Sequence, residues 1–172
     1  DALEVTELPK NPTVLVANLP YNVSVPVLLN LLERFPTLRE GVVMVQAEVA
    51  DRLAAKPNNK DFGVPSLKGA WWADLELAGN ISRSVFWPVP NVDSKLVYFK
   101  RHEPLGDEEF RKRVFALIDA AFSQRRKMIR SAMSSVLGLH AESIIAAAGV
   151  DPTLRGEALD ISAYTAIAAQ NY

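Results

Sequence analysis

Two stretches of this chain place planar and hydrogen-bonding groups where an aromatic base could lie. The first is Asn18-Leu19-Pro20-Tyr21, which ends the short apolar run beginning at Val14. Pro20 fixes its own φ at about −65° and steers Leu19 away from helix. The backbone therefore stays extended past the strand, with carbonyls that no ladder partner takes. An amide oxygen and free carbonyls accept hydrogen bonds from an exocyclic amine, and a phenol ring can lie on a planar base. In an open α/β sheet, ligands bind just beyond the carboxyl ends of strands. From the tetrapeptide alone a second reading stays open, a loop in which Asn18 bonds its own backbone. The second stretch is Ser84-Val-Phe-Trp-Pro-Val-Pro-Asn91. Its alternate prolines forbid helix and regular sheet and leave Phe86 and Trp87 on a stiff extended loop. An exposed ring there invites a stacking partner; a Phe86 folded back onto the sheet edge is the alternative.

The most informative charge feature is Arg125-Arg126-Lys127, with Arg130 one turn on. The pattern puts these cations in the first turn of a helix capped by Ser123, where the macrodipole opposes them. Phosphate binding, with the free helix N–H groups pointing the same way, accounts for cations in that place. Arg111, Lys112 and Arg113 in the preceding helix widen the patch.

Other chemistries find little support. His102 and His140 are the only histidines. They lack ligand spacing for zinc, and no nucleophile-elbow serine accompanies either. Glu33, Glu48 and Asp51 read as helix-surface acids with no catalytic partner. Neither G-x-G-x-x-G nor a P-loop occurs. The sequence contains no cysteine, hence no disulfide framework, thiolate nucleophile or cysteine-bound zinc. A net charge of −1 gives no global case for nucleic-acid binding, which must rest on the local cluster. No apolar run approaches membrane-spanning length, and no basic segment precedes a hydrophobic one at the start. Cytoplasmic residence is the expectation.

The elements that must position these groups follow from periodicity. At 172 residues, 49% apolar and 23% charged, the chain suits one ordinary domain, or one with a small second. The run from Val14 reads as a buried strand. Leu28, Leu31, Leu32 and Phe35 share one helical face, with Pro26 at a first helical position. Val42–Val45 has the solid apolar pattern of a parallel strand covered on both faces, so strand, helix and strand make a βαβ unit. A helix over Ala47–Ala55 leads to an exposed, mobile loop, Lys56–Gly63. A short helix over Pro65–Ala73 carries Trp71 and Trp72, at least one of them for the core. Asp74–Ile81 and Val92–Arg101 alternate as strands. Glu103–Gly106 reads as a linker, and everything beyond is helical. Asp107–Phe122 is the first of these helices. The second follows Ser123, with Ile129, Ala132, Met133, Val136 and Leu137 inward and Gly138 as its stop. His140–Ala148 is a third, Asp151-Pro152 begins a short turn, and Ser162 caps a last helix. The expected fold is α/β over residues 1–102 followed by a small all-α domain over residues 103–172.

This combination closely resembles the small-subunit (16S) rRNA adenine N6-dimethyltransferases, the KsgA family. The resemblance is carried by Asn18-Leu-Pro-Tyr21, Gln46-Ala-Glu-Val-Ala-Asp-Arg-Leu53, Val85-Phe-Trp-Pro-Val-Pro-Asn-Val-Asp-Ser94, Phe122-Ser-Gln-Arg-Arg-Lys127 and Gly149-Val-Asp-Pro-Thr-Leu-Arg155 with Glu157. These run in the family's order over nearly the whole chain; the tetrapeptide alone would be weak, since other amino-methylating enzymes share it. The resemblance implies the later part of a Rossmann-like class I methyltransferase sheet, followed by a helical RNA-binding domain. It implies S-adenosylmethionine as cofactor and small-subunit rRNA, in a 30S precursor, as partner. No metal and no membrane are implied, and the intact protein is expected to be a monomer. Asn18, Leu19, Pro20, Tyr21 and Phe86 would receive the target adenine, extruded from its RNA stack. Asp1, Ala2 and Asn18 would contact the cofactor, and Arg125, Arg126, Lys127 and Arg130 the RNA. The macrolide-resistance methyltransferases of large-subunit rRNA share the tetrapeptide and are the nearest enzyme alternative. A non-catalytic ribosome-assembly factor is the alternative from another class.

The family's first strands, with their glycine-rich loop and ribose-binding acid, would precede Asp1. The chain instead opens in mid-pattern and without methionine, as the back part of a larger α/β domain would. By itself it is expected to bind S-adenosylmethionine poorly, to be inactive and to expose apolar sheet edge. Val64-Pro65-Ser66 replaces a more helical family sequence, and Ala47 stands where lysine is frequent. Both departures bear on local RNA contacts.

Overall fold

Val14–Asn18 (β1), Glu40–Gln46 (β2), Ala73–Ile81 (β3) and Ser94–Arg101 (β4) form one four-stranded sheet in the order β1-β2-β4-β3. The computed structural model describes residues 1–170. β1 and β2 are parallel, and β4 is antiparallel to both of its neighbours. β1, β2 and β3 therefore run the same way, and their carboxyl ends share one edge with the start of β4. Residues 19–21, after β1, and residues 82–93, between β3 and β4, both leave the sheet at that edge. This topology brings the two aromatic stretches into one neighbourhood.

The link between β1 and β2 is α1 (Ser24–Arg34), so the βαβ unit forms as its spacing predicts. α1 buries Val27, Leu28, Leu31 and Leu32. Pro26 lies in its first turn, where a missing N–H breaks no helix bond. Beyond the helix end, Arg101 of β4 donates from Nε to the Leu38 carbonyl at 2.6 Å and from Nη2 to the Leu32 and Phe35 carbonyls. Carbonyls that the terminating helix leaves over are thereby satisfied. α2 (Ala47–Ala54) packs on β3 and β4, and Ala50 and Leu53 are buried with Val43, Val45, Leu75, Val97 and Phe99. Gly41 lies between Leu15 of β1 and Phe99 of β4 in the sheet register, where there is no room for a side chain. A Cβ there would sit 2.4 Å from the Leu15 carbonyl oxygen and 2.6 Å from the Phe99 ring.

Two expectations about the sheet change. β1 is an edge strand paired only with β2, and Val16 is 81% exposed, so this apolar run is not a buried strand. β2 has one buried face and one half-buried face. An apolar run shows that a strand can be covered, not that both faces are.

The second compact unit joins residues 56–71 to the chain beyond Glu103. The sequence reading gave residues 56–71 to the α/β domain; they pack instead with the helices. Here α3 (Val64–Ala70) is followed by Trp71, fully buried, with its ring about 6 Å from those of Phe110 and Phe115. Trp72, in the first unit, is buried too. The loop expected to be exposed and mobile is exposed at Lys56, Asn58, Asn59 and Lys60 but is anchored at two points. Phe62 is 4% exposed, and the Asn58 N–H donates to the Glu157 carbonyl at 2.9 Å.

The remaining helices are α4 (Glu108–Ser123), α5 (Ile129–Ala132), α6 (Ser134–Leu137), α7 (Ala141–Ala147) and α8 (Ile161–Ala168). The Asp107 side chain caps α4 by accepting from the Phe110 N–H at 2.8 Å, as first-turn chemistry predicts. Ser123 is the last residue of α4 and donates to the Ala120 carbonyl, so it caps nothing. The helix expected after it is two short ones that meet at Met133. Asp160, not Ser162, caps α8, accepting from the Ala163 N–H at 2.9 Å. Gly138 and Gly149 end their elements with φ of 70° and 75°, the left-handed geometry that favours glycine. In the core of this unit the Tyr164 hydroxyl donates to the Gly156 carbonyl at 3.1 Å, and burial raises its pKa.

Candidate active site

The Leu19 N–H donates to the Met44 carbonyl at 3.0 Å, which carries the β1–β2 pairing one residue further. It leaves Leu19 5% exposed. Pro20 is extended, with φ −60° and ψ 133°, and the chain then turns through Tyr21–Val23 into α1. The Tyr21 hydroxyl lies 2.7 Å from Ser94 Oγ. Ser94 is fully buried at the start of β4, between Gln46 and Ile81 in the sheet register. The tip of the phenol is thus fastened to the sheet while its ring stays half-exposed. The Asn18 side chain is exposed. Among the described residues, no hydrogen bond occupies its carboxamide or the Leu19 carbonyl. The alternative in which Asn18 closes a turn on its own backbone is not what the structure contains.

The opposite side is the β3–β4 connection. Its base is tied by the Arg83 N–H donating to Asp93 Oδ1 at 2.9 Å and by Arg83 Nη1 donating to the Asn91 carbonyl at 3.2 Å. Phe86 is extended and half-buried; Trp87 precedes Pro88 through a cis peptide bond and is 94% exposed.

Asn18, Leu19, Pro20 and Tyr21 from one side, and Phe86, Trp87, Pro88 and Pro90 from the other, line an open cavity of about 390 Å³. That is within the usual size of small-ligand pockets. Every sequence-predicted adenine-site residue lies on it: Asn18, Leu19, Pro20, Tyr21 and Phe86. Its wall presents free acceptors and aromatic faces and no acid, base or cation. Such a wall suits a neutral planar group that carries an amine. The acids noted in the sequence are engaged elsewhere: Glu48 with Arg52, and Asp51 with Lys95 at 2.7 Å. Among the described residues no cluster of three or more histidine or acidic side chains could hold a metal. No helix among them is long and apolar enough to cross a membrane.

Asp1 and Ala2 do not line the cavity. They belong to an exposed turn held against α1, where Asn30 Nδ2 donates to the Ala2 and Leu3 carbonyls at 3.3 Å each. Asp1 Oδ1 accepts from the Leu3 N–H at 3.0 Å.

The basic cluster departs from its expected setting. Residues 124–127 form the turn between α4 and α5 rather than the first turn of a helix. α5 has only four residues, so the macrodipole argument does not apply. Arg125 pairs with Glu157 at 2.9 Å and donates to the Lys60 carbonyl. Arg130, within α5, pairs with Glu142 at 2.9 Å. Arg126 and Lys127 are exposed and make no ion pair among the described residues. Of the neighbours expected to widen the patch, Lys112 pairs with Glu108 and Arg113 donates to the Gln170 carbonyl.

Ser94, the buried partner of the Tyr21 hydroxyl, is the candidate position that sequence reasoning passed over, although it closes the quoted segment Val85–Ser94. Its only signal was a small hydroxyl residue opening an alternating strand.

The profile of the "Ribosomal RNA adenine dimethylase" family matches residues 2–169. The "Ribosomal RNA small subunit methyltransferase A" of Arthrobacter sp. (strain FB24) is 58% identical over 98% of this chain and 58% of its own length. The protein of the same description from Leifsonia xyli subsp. xyli is 59% identical over 99% of this chain and 62% of its own length. The chain thus spans about 60% of the length of these curated relatives. The crystal structure of a dimethyladenosine transferase from Plasmodium falciparum superposes with a TM-score of 0.83 over 97% of this chain and 68% of that one. At 21% identity, that likeness establishes the fold alone, a Rossmann-like sheet. The family match and the bacterial identities go further: this chain belongs to the ribosomal RNA adenine dimethylase family.

Proposed function

We propose that this chain is the substrate-receiving part of an S-adenosylmethionine-dependent rRNA adenine N6-dimethyltransferase acting on small-subunit rRNA during cytoplasmic ribosome biogenesis. One observation carries the reading: two unoccupied acceptors, the Asn18 carboxamide and the Leu19 carbonyl, share an open cavity with the rings of Tyr21 and Phe86.

The Asn18 amide oxygen and the Leu19 carbonyl accept the two amine hydrogens of an adenine taken out of its stack. Held in that way, the amine nitrogen turns its lone pair out of conjugation with the ring. Tyr21 and Phe86 hold the base by its faces, Ser94 fixes the Tyr21 ring and Pro20 fixes the backbone between the two acceptors. S-adenosylmethionine, when bound, supplies an activated methyl on a sulfonium. Orientation of the amine is then the main demand on the protein, which agrees with a cavity that contains no base. Asp1, Ala2 and Asn18 would contact part of this cofactor: among the described residues one Asp1 carboxylate oxygen has no donor and the Asn18 amide is unoccupied, which suits such contacts. The described residues offer no glycine-rich turn for the rest of it. Within the basic cluster, Arg126 and Lys127 are the cations left available for RNA phosphates. The small-subunit substrate is favoured by Phe122-Ser-Gln-Arg-Arg-Lys127 and Asp151-Pro-Thr-Leu-Arg155 with Glu157, which the relatives of that description are expected to share.

The test is methyl transfer by this segment fused behind the N-terminal part of a curated relative. Asn18→Ala should abolish transfer to 30S precursor and leave particle binding intact. Loss of particle binding would show that Asn18 serves docking, and unimpaired transfer would remove it from the mechanism.

A further inference from the structure

Three tryptophans occur in the chain, and they differ sharply in setting. Trp71 and Trp72 are 0% and 9% exposed, whereas Trp87 is 94% exposed. Leaving so large an apolar ring in water forgoes most of what its burial would contribute. The loop prevents collapse onto the sheet. Pro88 follows the ring directly, Pro90 stiffens the next turn, and Arg83 ties the base of the loop to Asp93 and Asn91. Trp87 nevertheless lines the same cavity as Asn18, Tyr21 and Phe86. A lining residue that is almost wholly exposed stands at the mouth, not in the wall. Val85 and Val89 beside it are 68% and 53% exposed, so the mouth is bordered by an apolar strip.

We propose that Trp87 is a stacking platform for the nucleobase that flanks the target adenine in single-stranded RNA. The proposal rests on the adenine-pocket reading above. Extruding one base from a strand leaves the adjacent base with an uncovered aromatic face. An indole fixed at the mouth of the pocket covers that face and replaces the lost base–base stack. Stacking is tolerant of base identity, so Trp87 adds affinity for an unstacked strand rather than sequence discrimination. Phe86 and Trp87, adjacent in the chain, divide the work: the half-buried ring takes the target and the exposed one takes its neighbour.

The experiment uses the 172-residue chain and two single-stranded RNA pentamers with a central adenosine, one with normal flanking bases and one abasic at both flanks. Trp87 is the tryptophan that acrylamide can reach, so its emission reports the mouth directly. Binding of the first pentamer should change that emission and shield it from acrylamide. Trp87→Ala should weaken the first pentamer about 5- to 150-fold, leave the abasic one unchanged and leave the melting temperature unchanged; Trp87→Phe should restore most of the loss. If Trp87→Ala binds both pentamers as the unsubstituted chain does, while Tyr21→Ala loses both, the target pocket stands and the Trp87 platform is wrong. If neither pentamer binds in a Tyr21-dependent way, the adenine-pocket reading itself fails. Concentration-dependent shielding of Trp87 without RNA would mark a contact between copies of the chain, and would also overturn the proposal.

Discussion

The hydroxyls of Tyr21 and Ser94 lie 2.7 Å apart, joining the corner after β1 to the first residue of β4 across 73 residues of sequence. Ser94 is fully buried and the bond is partly buried. Ser94→Ala should cost about 1 kcal/mol of stability, read as a fall of a few degrees in Tm. It should also weaken binding of a single-stranded, adenosine-containing RNA, because the Tyr21 ring loses its fixed orientation. Tyr21→Phe should leave more of the binding than Tyr21→Ala, since stacking depends on the ring.

Phe86 and Tyr21 face one cavity, and each ring should contribute as aromatic–base stacking does. Alanine at either position should cost about 1–3 kcal/mol of RNA binding, roughly 5- to 150-fold in Kd. Titration with the adenosine pentamer measures this, and additive losses from the double substitution would argue against a shared base.

The four cations of the basic cluster should separate by function. Arg126→Glu and Lys127→Glu should weaken RNA binding and lower the slope of log K against log salt by about 0.7 for each lost phosphate contact. Arg125→Ala and Arg130→Ala should act mainly on folding, by about 0–1 kcal/mol each, because both are already paired with acids. An equal salt effect from all four would contradict this division.

Gly41→Ala should destabilise the sheet by about 1–3 kcal/mol or more. The new Cβ would meet the Leu15 carbonyl oxygen at 2.4 Å and the Phe99 ring at 2.6 Å, and backbone cannot give way cheaply. Chemical denaturation measures the loss. A neutral result would mean that β1 and β2 can separate without penalty.

Titration calorimetry of the 172-residue chain with S-adenosylmethionine should show no saturable micromolar binding. On the proposed reading Asp1 and Asn18 would contact only part of such a molecule, and the described residues offer no glycine-rich turn for the remainder. Tight binding would show that other residues of this chain complete the site.

The corner at Asn18–Tyr21 was legible in the sequence because its geometry is local. Pro20 dictates an extended backbone wherever it stands, and the prolines after Phe86 and Trp87 do the same for their loop. Meeting of the two stretches followed from strand direction, which the βαβ pattern supplied in part. What stayed hidden was non-local. The apolar run Val14–Ala17 reads the same at an edge as in a centre, so the exposure of Val16 could not be seen. Trp71 is the core residue that its type suggested, but its partners, Phe110 and Phe115, lie about 40 residues on and could not be read locally. Ser123 has the composition of a cap yet closes α4, because Ile129, and not Gln124, begins the next helix. The partners of Arg125 and Arg130 lie 32 and 12 residues away, beyond the reach of a charge run read in isolation. The contact of Ser94 is made with a tyrosine in the corner after β1, 73 residues away in sequence.

The central claim is that Asn18 and the Leu19 carbonyl grip an exocyclic amine. Its most direct test is the affinity of this chain for two otherwise identical pentamers, one with a central adenosine and one with purine riboside, which lacks the amine. The unsubstituted chain should prefer adenosine, and Asn18→Ala should bind both alike, at the level of the amine-free RNA. No preference in the unsubstituted chain, or a preference that survives Asn18→Ala, would contradict it.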